Sequence, residues 1–161
     1  MPGICKCANL PAMPREDFNF HTTLRVRYAE IDHQGVVFNA HYLTYFDVGH
    51  TEYMRKIRYQ YVERVKETQV DFHLVKSVVN YRQPIPFDTE IDVWVRTSRI
   101  GRTSFTVSYE IHSHGEEDLL ASGETVMVTV NLADHRPVPV PDDFVEQVEE
   151  FEGHPVRETQ A

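Results

Sequence analysis

One helical pattern in an otherwise strand-like chain is the feature that most restricts the fold. Tyr42, Phe46, Gly49, Tyr53 and Ile57 recur at spacings of three and four and form a single stripe, which predicts a helix from about residue 40 to 58. Gly49 lies inside that helix, where glycine costs about 1 kcal/mol relative to alanine. A glycine in the buried stripe can let another element approach closely. Ahead of the helix, Phe20, Leu24, Val26 and Tyr28 share one parity and mark a strand over 18–28. A weaker helical stretch follows over 60–66. Strand-like runs then occupy 72–82, 90–98, 103–112 and 119–130. Pro84, Pro86, Gly101 and the segment His114 to Asp118 separate them, and these short spacings favour antiparallel neighbours. Pro137, Pro139 and Pro141 end regular pairing, and 142–151 reads as a short acidic helix. The predicted class is α+β: one long central helix against a five-stranded antiparallel sheet. One helix cannot cover both faces of such a sheet, so self-association through a sheet edge or face is the economical solution.

The chain has 161 residues, the size of one domain, and is long enough to bury a sizeable core. Its formal net charge of −9 argues against broad nucleic-acid binding, which needs a basic surface. The excess acid is concentrated between Pro141 and Ala161, where seven carboxylates face one arginine. No apolar run is long enough to span a membrane, and the first residues lack the apolar stretch of a signal peptide, so the expected location is cytoplasmic. Cys5 and Cys7 form an isolated Cys-x-Cys pair in a Pro-rich leader over 1–17. Two ligands alone make a weak metal signal, and tail thiols without a catalytic role are the simpler reading.

Between the first strand and the helix runs Arg27-Tyr28-Ala29-Glu30-Ile31-Asp32-His33-Gln34-Gly35-Val36-Val37-Phe38-Asn39-Ala40-His41-Tyr42. An acid and a glycine turn sit just ahead of a helix start. Asp32 is placed to act as a nucleophile on an activated carbonyl or as a general base on water. Unpaired N–H groups at the helix start are suited to a developing oxyanion. The bland alternative is that Asp32 only caps backbone N–H groups or shapes a turn.

The segment from Tyr28 to Asp47 resembles the active-site segment of the 4-hydroxybenzoyl-CoA thioesterase type of hotdog-fold proteins. Asn80-Tyr81-Arg82-Gln83-Pro84-Ile85 and Thr97-Ser98-Arg99-Ile100-Gly101-Arg102-Thr103-Ser104-Phe105 resemble later segments of that family in the same order. The resemblance covers roughly residues 18–143 and leaves 144–161 as an acidic C-terminal extension. It implies a hotdog fold in which a strongly curved sheet wraps the long helix. It also implies dimers that pair edge to edge with active sites at the interface, and further assembly to tetramers. The implied substrate is an acyl thioester of coenzyme A or of acyl carrier protein, with no cofactor beyond the coenzyme A of the substrate itself. Asp32 matches the family's catalytic carboxylate, Gly35 the turn glycine, and the Asn39 N–H the donor that polarises the thioester carbonyl. Several better-known members carry Tyr or His where this chain has Asn39.

Other candidates surround this segment. His33, Val37, Phe38 and Tyr42 are candidate substrate contacts, although a surface histidine and helix-core aromatics are the commoner fates of such residues. Arg82, Arg99 and Arg102 could form a basic rim for the phosphates of coenzyme A, or simply balance surface acids. Asp47 and Glu52 on the helix are secondary candidates. His41 and His50 are too far apart along the helix for a compact metal pair, and His112 and His114 lack an evident third ligand, so no metal is expected. An acyl-CoA thioesterase is the leading reading. The alternatives are a hotdog dehydratase or hydratase, which would need a histidine–acid pair, and a noncatalytic acyl-CoA-binding protein.

Overall fold

The structure is a computed structural model that describes residues 15–158. Cys5, Cys7 and most of the leader segment lie outside the described residues. The elements are β1 (His21–Arg25), α1 (His41–Lys56), α2 (Tyr61–Thr68), β2 (Val70–Tyr81), β3 (Glu90–Ile100), β4 (Ser104–Ser113), β5 (Leu119–Asn131) and α3 (Asp142–Glu152). The long helix and the four later strands form where the periodicity places them. The first strand is shorter than its pattern: β1 stops at Arg25, and Tyr28–Glu30 turns into a short 3-10 segment. Glu30 causes that departure, because its carboxylate accepts hydrogen bonds from the backbone N–H and guanidinium of Arg27 and turns the chain.

The five strands pair antiparallel in the order β1-β3-β4-β5-β2, which leaves β1 and β2 as edges. The predicted stripe of α1 faces this sheet, and Tyr42, Phe46, Gly49, Tyr53 and Ile57 are all buried. Phe46 stacks on Tyr109 of β4 with ring centroids 4.3 Å apart. Gly49 lies over β3: a Cβ there would come within 2.8 Å of Val93 Cγ1 and 2.9 Å of Val95 Cγ2. Gly123 of β5 makes room in turn for Phe46, whose Cε2 would lie 2.5 Å from a Cβ at that position.

These close approaches correct one expectation. The sheet is open and does not curl strongly around the helix, as the resemblance had implied. Two glycines let α1 settle onto the sheet, so the sheet need not rise around it. The rest of the same face is covered by a further element. Helix α3 places Phe144 against Phe72 of β2 and Phe105 of β4, at 5.1 and 4.8 Å between centroids. The Tyr53 hydroxyl donates to Glu152 Oε1 of α3 at 2.6 Å, a buried link between the two helices.

The other face of the sheet carries polar side chains that pair with one another. His112 Nε2 lies 2.8 Å from Glu110 Oε2, and His114 Nδ1 lies 2.9 Å from Asp92 Oδ1. His112 thus pairs within β4, whereas His114, just past the end of that strand, shares Asp92 with Thr23 of β1.

Candidate active site

The segment ahead of α1 folds back on itself as a tight hairpin. Phe38 N–H donates to the Glu30 carbonyl, Ile31 bridges Val37, and Asp32 N–H donates to the Val36 carbonyl at 2.9 Å. The turn closes with Gly35 N–H on the Asp32 carbonyl at 3.0 Å, and Gly35 takes a φ of +77°, a conformation that suits glycine. Asp32 therefore holds the first turn position, where its Oδ1 accepts the Gln34 N–H at 2.7 Å. The turn role is real, and it does not extend to capping α1, whose N-cap is Ala40 without a side-chain cap. Among the described residues Asp32 Oδ2 meets no hydrogen-bond donor, so one carboxylate oxygen orients the group and the other stays available.

The hairpin is fastened on both sides. Val37 N–H donates to the Ile85 carbonyl at 2.8 Å, Val36 bridges Pro86, and Phe87 N–H reaches the Gly35 carbonyl. On the other side, the Tyr45 hydroxyl of α1 donates to Glu30 Oε2 at 2.8 Å. Burial alone would raise the pKa of Glu30, but the backbone and guanidinium donors of Arg27 and the Tyr45 hydroxyl outweigh it and hold the carboxyl below its usual value. Burial, followed by the Glu30 hydrogen bond and charge, pushes the Tyr45 phenol upward. Glu30 was absent from the candidates drawn from sequence. The only local signal for it is the i,i+3 spacing of Arg27 and Glu30, which allows the carboxylate to accept from the Arg27 backbone and guanidinium.

The structure gathers Asp32, Gly35, Asn39, Phe38 and Tyr42 at the start of α1. Phe38 and His33 are exposed there, whereas Val37 and Tyr42 are buried. Tyr42 touches Tyr81 edge to face at 4.9 Å, and the Tyr81 hydroxyl donates to the Asn39 carbonyl at 3.2 Å. Tyr81 thus joins this end of the molecule, with Arg82 next to it. Arg99 and Arg102 do not: they lie at the β3–β4 turn, and the register of β1 on β3 puts the hairpin at the opposite, Glu90 end of that strand. Arg99 is also engaged, with Nε and Nη2 donating to the two oxygens of Glu158 at 2.6 and 2.9 Å.

A cavity of about 810 Å³ opens on the same helix but away from the hairpin. His50, Met54, Tyr59, Phe72, Leu74 and Met127 are among its walls, between α1, the start of α2 and the first half of β2. Its lining is mainly apolar. Helical spacing brought Asp47, His50, Thr51 and Met54 to one flank, yet sequence offered no sign that this flank was hollow.

An open antiparallel sheet with a long helix on one face and a carboxylate turn before that helix define a hotdog-fold protein of thioesterase type. Residues 26–148 match the model of the Thioesterase-like superfamily, and the chain belongs to that family. It resembles the acyl-CoA thioesterase YbgC of Haemophilus influenzae, with 25% identity over 127 residues that cover 79% of this chain and 92% of that one. Among solved structures it resembles a thioesterase from Thermus thermophilus complexed with coenzyme A and Zn. The identity there is 29%, the TM-score 0.73, and the match covers 87% of this chain and 98% of that one. A 1,4-dihydroxy-2-naphthoyl-CoA thioesterase from Synechocystis shares the fold at 19% identity and a TM-score of 0.75, covering 80% of this chain and 94% of that one.

Proposed function

We propose that the chain hydrolyses the thioester bond of an acyl-CoA, releasing the free acid and coenzyme A, with Asp32 as the reacting carboxylate. The observation that carries this reading is the position of Asp32. A hydrogen-bonded hairpin presents it beside the start of α1, with one oxygen held by Gln34 N–H and the other without a donor among the described residues. Either Asp32 attacks the thioester carbonyl, expels the thiolate and forms an anhydride that water then cleaves, or it takes a proton from a water that attacks directly. In both routes the Asn39 N–H at the uncapped helix start is the donor for the carbonyl oxygen as it becomes negative. Gly35 supplies the turn. A thiolate is a good leaving group, so the protein's main tasks are to orient the carbonyl and to stabilise this oxyanion.

The assembly that suits this chemistry is a two-fold dimer through β2. This edge strand runs for twelve residues and exposes Leu74, Val75 and Tyr81 at 56%, 60% and 48%. An edge of that length and character favours pairing with another chain. Antiparallel pairing of β2 with its symmetry mate sets the Tyr81 end of one strand beside the Phe72 end of the other. The hairpin of one protomer then faces the cavity of its partner. Arg82 is the arginine placed nearest the hairpin for the phosphates of coenzyme A. The far-end Arg99 and Arg102 serve that purpose only from across such an interface. No helix among the described residues is long and apolar enough to cross a membrane, which fits a substrate met in solution.

Thiol release from a panel of acyl-CoAs tests the reading. Wild type is expected to turn over at least one acyl class, and Asp32→Asn to lose nearly all turnover while still binding the same thioester. Equal release by both proteins would remove Asp32 from the reaction. Binding without release by wild type would favour a noncatalytic acyl-CoA carrier.

A further inference from the structure

The peptides on both sides of Asn39 are pinned, whereas its own N–H is bare. Phe38 N–H donates to the Glu30 carbonyl at 2.9 Å, and the Phe38 carbonyl accepts the His41 N–H at 2.9 Å, which closes a tight turn just ahead of α1. On the far side, the Tyr81 hydroxyl donates to the Asn39 carbonyl at 3.2 Å. Asn39 is exposed, and among the described residues its N–H meets no acceptor. A trans peptide is planar, so this N–H points opposite the Phe38 carbonyl. Fixing that carbonyl on His41 therefore aims the Asn39 N–H out of the turn. Two tyrosines tie the turn to the rest of the molecule. Glu30 joins the segment leading to Asp32 with α1, because its carboxylate accepts the Tyr45 hydroxyl at 2.8 Å while its carbonyl holds Phe38. Glu30 and Tyr45 are each 3% exposed. Burial pushes the Tyr45 phenol up, so it keeps the proton that it donates. Tyr81 braces the same turn from the edge strand β2, with its ring edge to face on Tyr42 at 4.9 Å. Neither tyrosine hydroxyl hydrogen-bonds Asp32.

We propose that Tyr45, acting through Glu30, and Tyr81 are positioning residues for the hydrolysis: together they hold the bare Asn39 N–H in the place, relative to Asp32, where one thioester carbonyl meets both. The inference rests on the thioesterase reading, which makes this N–H the oxyanion donor. A donor aimed in advance has no reorganisation to make when charge develops on the carbonyl oxygen. Its contribution therefore falls on the transition state more than on binding. The hairpin fixes Asp32 by its own turn, and the two hydroxyls fix the start of α1 against it. Without them the donor is free to drift from the carbonyl, and a misplacement of about 1 Å costs on the order of a hundred-fold in rate.

The test removes one hydroxyl at a time from the full chain, as Tyr45→Phe and Tyr81→Phe, with octanoyl-CoA and benzoyl-CoA as probes. Each variant is expected to lower kcat by about ten-fold while KM stays within about two-fold of wild type. A second arm reads the infrared carbonyl stretch of the same thioesters, isotopically labelled at the carbonyl carbon. They are bound to Asp32→Asn, which the hydrolytic reading expects to hold them uncleaved. Binding is expected to move the stretch to lower frequency as the N–H polarises the carbonyl, and adding Tyr45→Phe or Tyr81→Phe is expected to reduce that shift. Partial unfolding would lower kcat without moving the band of the thioester that remains bound. An unchanged kcat or an unchanged band in either variant overturns the proposal, as does a thioester bound with no shift at all. The hydrolytic reading fails separately. A tyrosine-dependent shift without Asp32-dependent thiol release would uphold the positioning role and sink Asp32 as the reacting group. Asp32-dependent release with neither kcat nor band moved by the tyrosines would do the reverse.

Discussion

The two ends of α1 are built in different ways. At its start, the hairpin over 31–37 is held by backbone hydrogen bonds to the Ile85 carbonyl, from the Phe87 N–H and across its own turn, and it presents Asp32 in a half-exposed position. Toward its other end, the flank carrying His50 and Met54 borders a cavity shaped by side chains from four elements. Backbone hydrogen bonds fix a reacting group closely and depend little on residue type beyond the turn positions. Side-chain walls can change with each substitution. The same helix thus joins a backbone-held turn at one end to side-chain walls at the other.

Four substitutions would break or sharpen this contrast. The largest effect is expected at the hairpin: Asp32→Asn should lower kcat by about 10²–10⁴-fold or more, with chemical denaturation showing an almost unchanged midpoint. A marked loss of stability instead would mean that the carboxylate serves the turn more than the reaction. Next comes the layer shared by both ends. Gly123→Ala puts a Cβ 2.3 Å from the Val78 carbonyl oxygen and 2.5 Å from the Phe46 ring, and should cost about 2–3 kcal/mol in urea unfolding. Glu30→Gln removes a charged anchor that accepts from Arg27 and Tyr45, with an expected loss of about 1.5–3 kcal/mol. The Glu30 contribution is present above the unfolded carboxylate pKa. It fades as pH falls through the depressed native value, so wild type and variant should converge in acid.

The remaining test concerns His50 and is read as a slope against pH. Its native pKa, about 4, lies below the ordinary histidine value of 6.5. Between these values the unfolded chain binds the extra proton, and native stability falls as pH drops from 6.5 toward 4. The slope is at most about 1.4 kcal/mol per pH unit from this group. Denaturation of wild type and His50→Gln across that window should show a steeper acid loss in wild type. Parallel curves would place the imidazole in contact with water in the native protein.

Much of the fold was legible because it rests on periodicity. The stripe Tyr42, Phe46, Gly49, Tyr53 and Ile57 named both the helix and its buried face, and Gly49 announced a close approach that the structure places over Val93 and Val95. The Asp32 turn was legible for a related reason, since aspartate and glycine three apart have local turn chemistry of their own. What stayed hidden depends on long-range placement. Sequence left Arg99 open to phosphate binding or to balancing surface acids, and Glu158, far along the chain, pairs with it. The degree of sheet curl depends on how α3 and α1 share one face, which no single segment encodes. The cavity by His50 is a gap between elements, and a sequence records the side chains around a gap without recording the gap.

The strand order also bears on how the chain is made. Strand β2 pairs only with β5, with Val70 opposite Asn131 and Tyr81 opposite Ala121, while β3 and β4 are synthesised in between. On the ribosome, α1 and β2 emerge long before β5 exists to complete the sheet, so their apolar surfaces must wait. Sheets closed by such distant pairings form slowly and leave partly folded chains prone to stick to one another. Completion of the sheet at β2 thus waits on the synthesis of β3, β4 and β5.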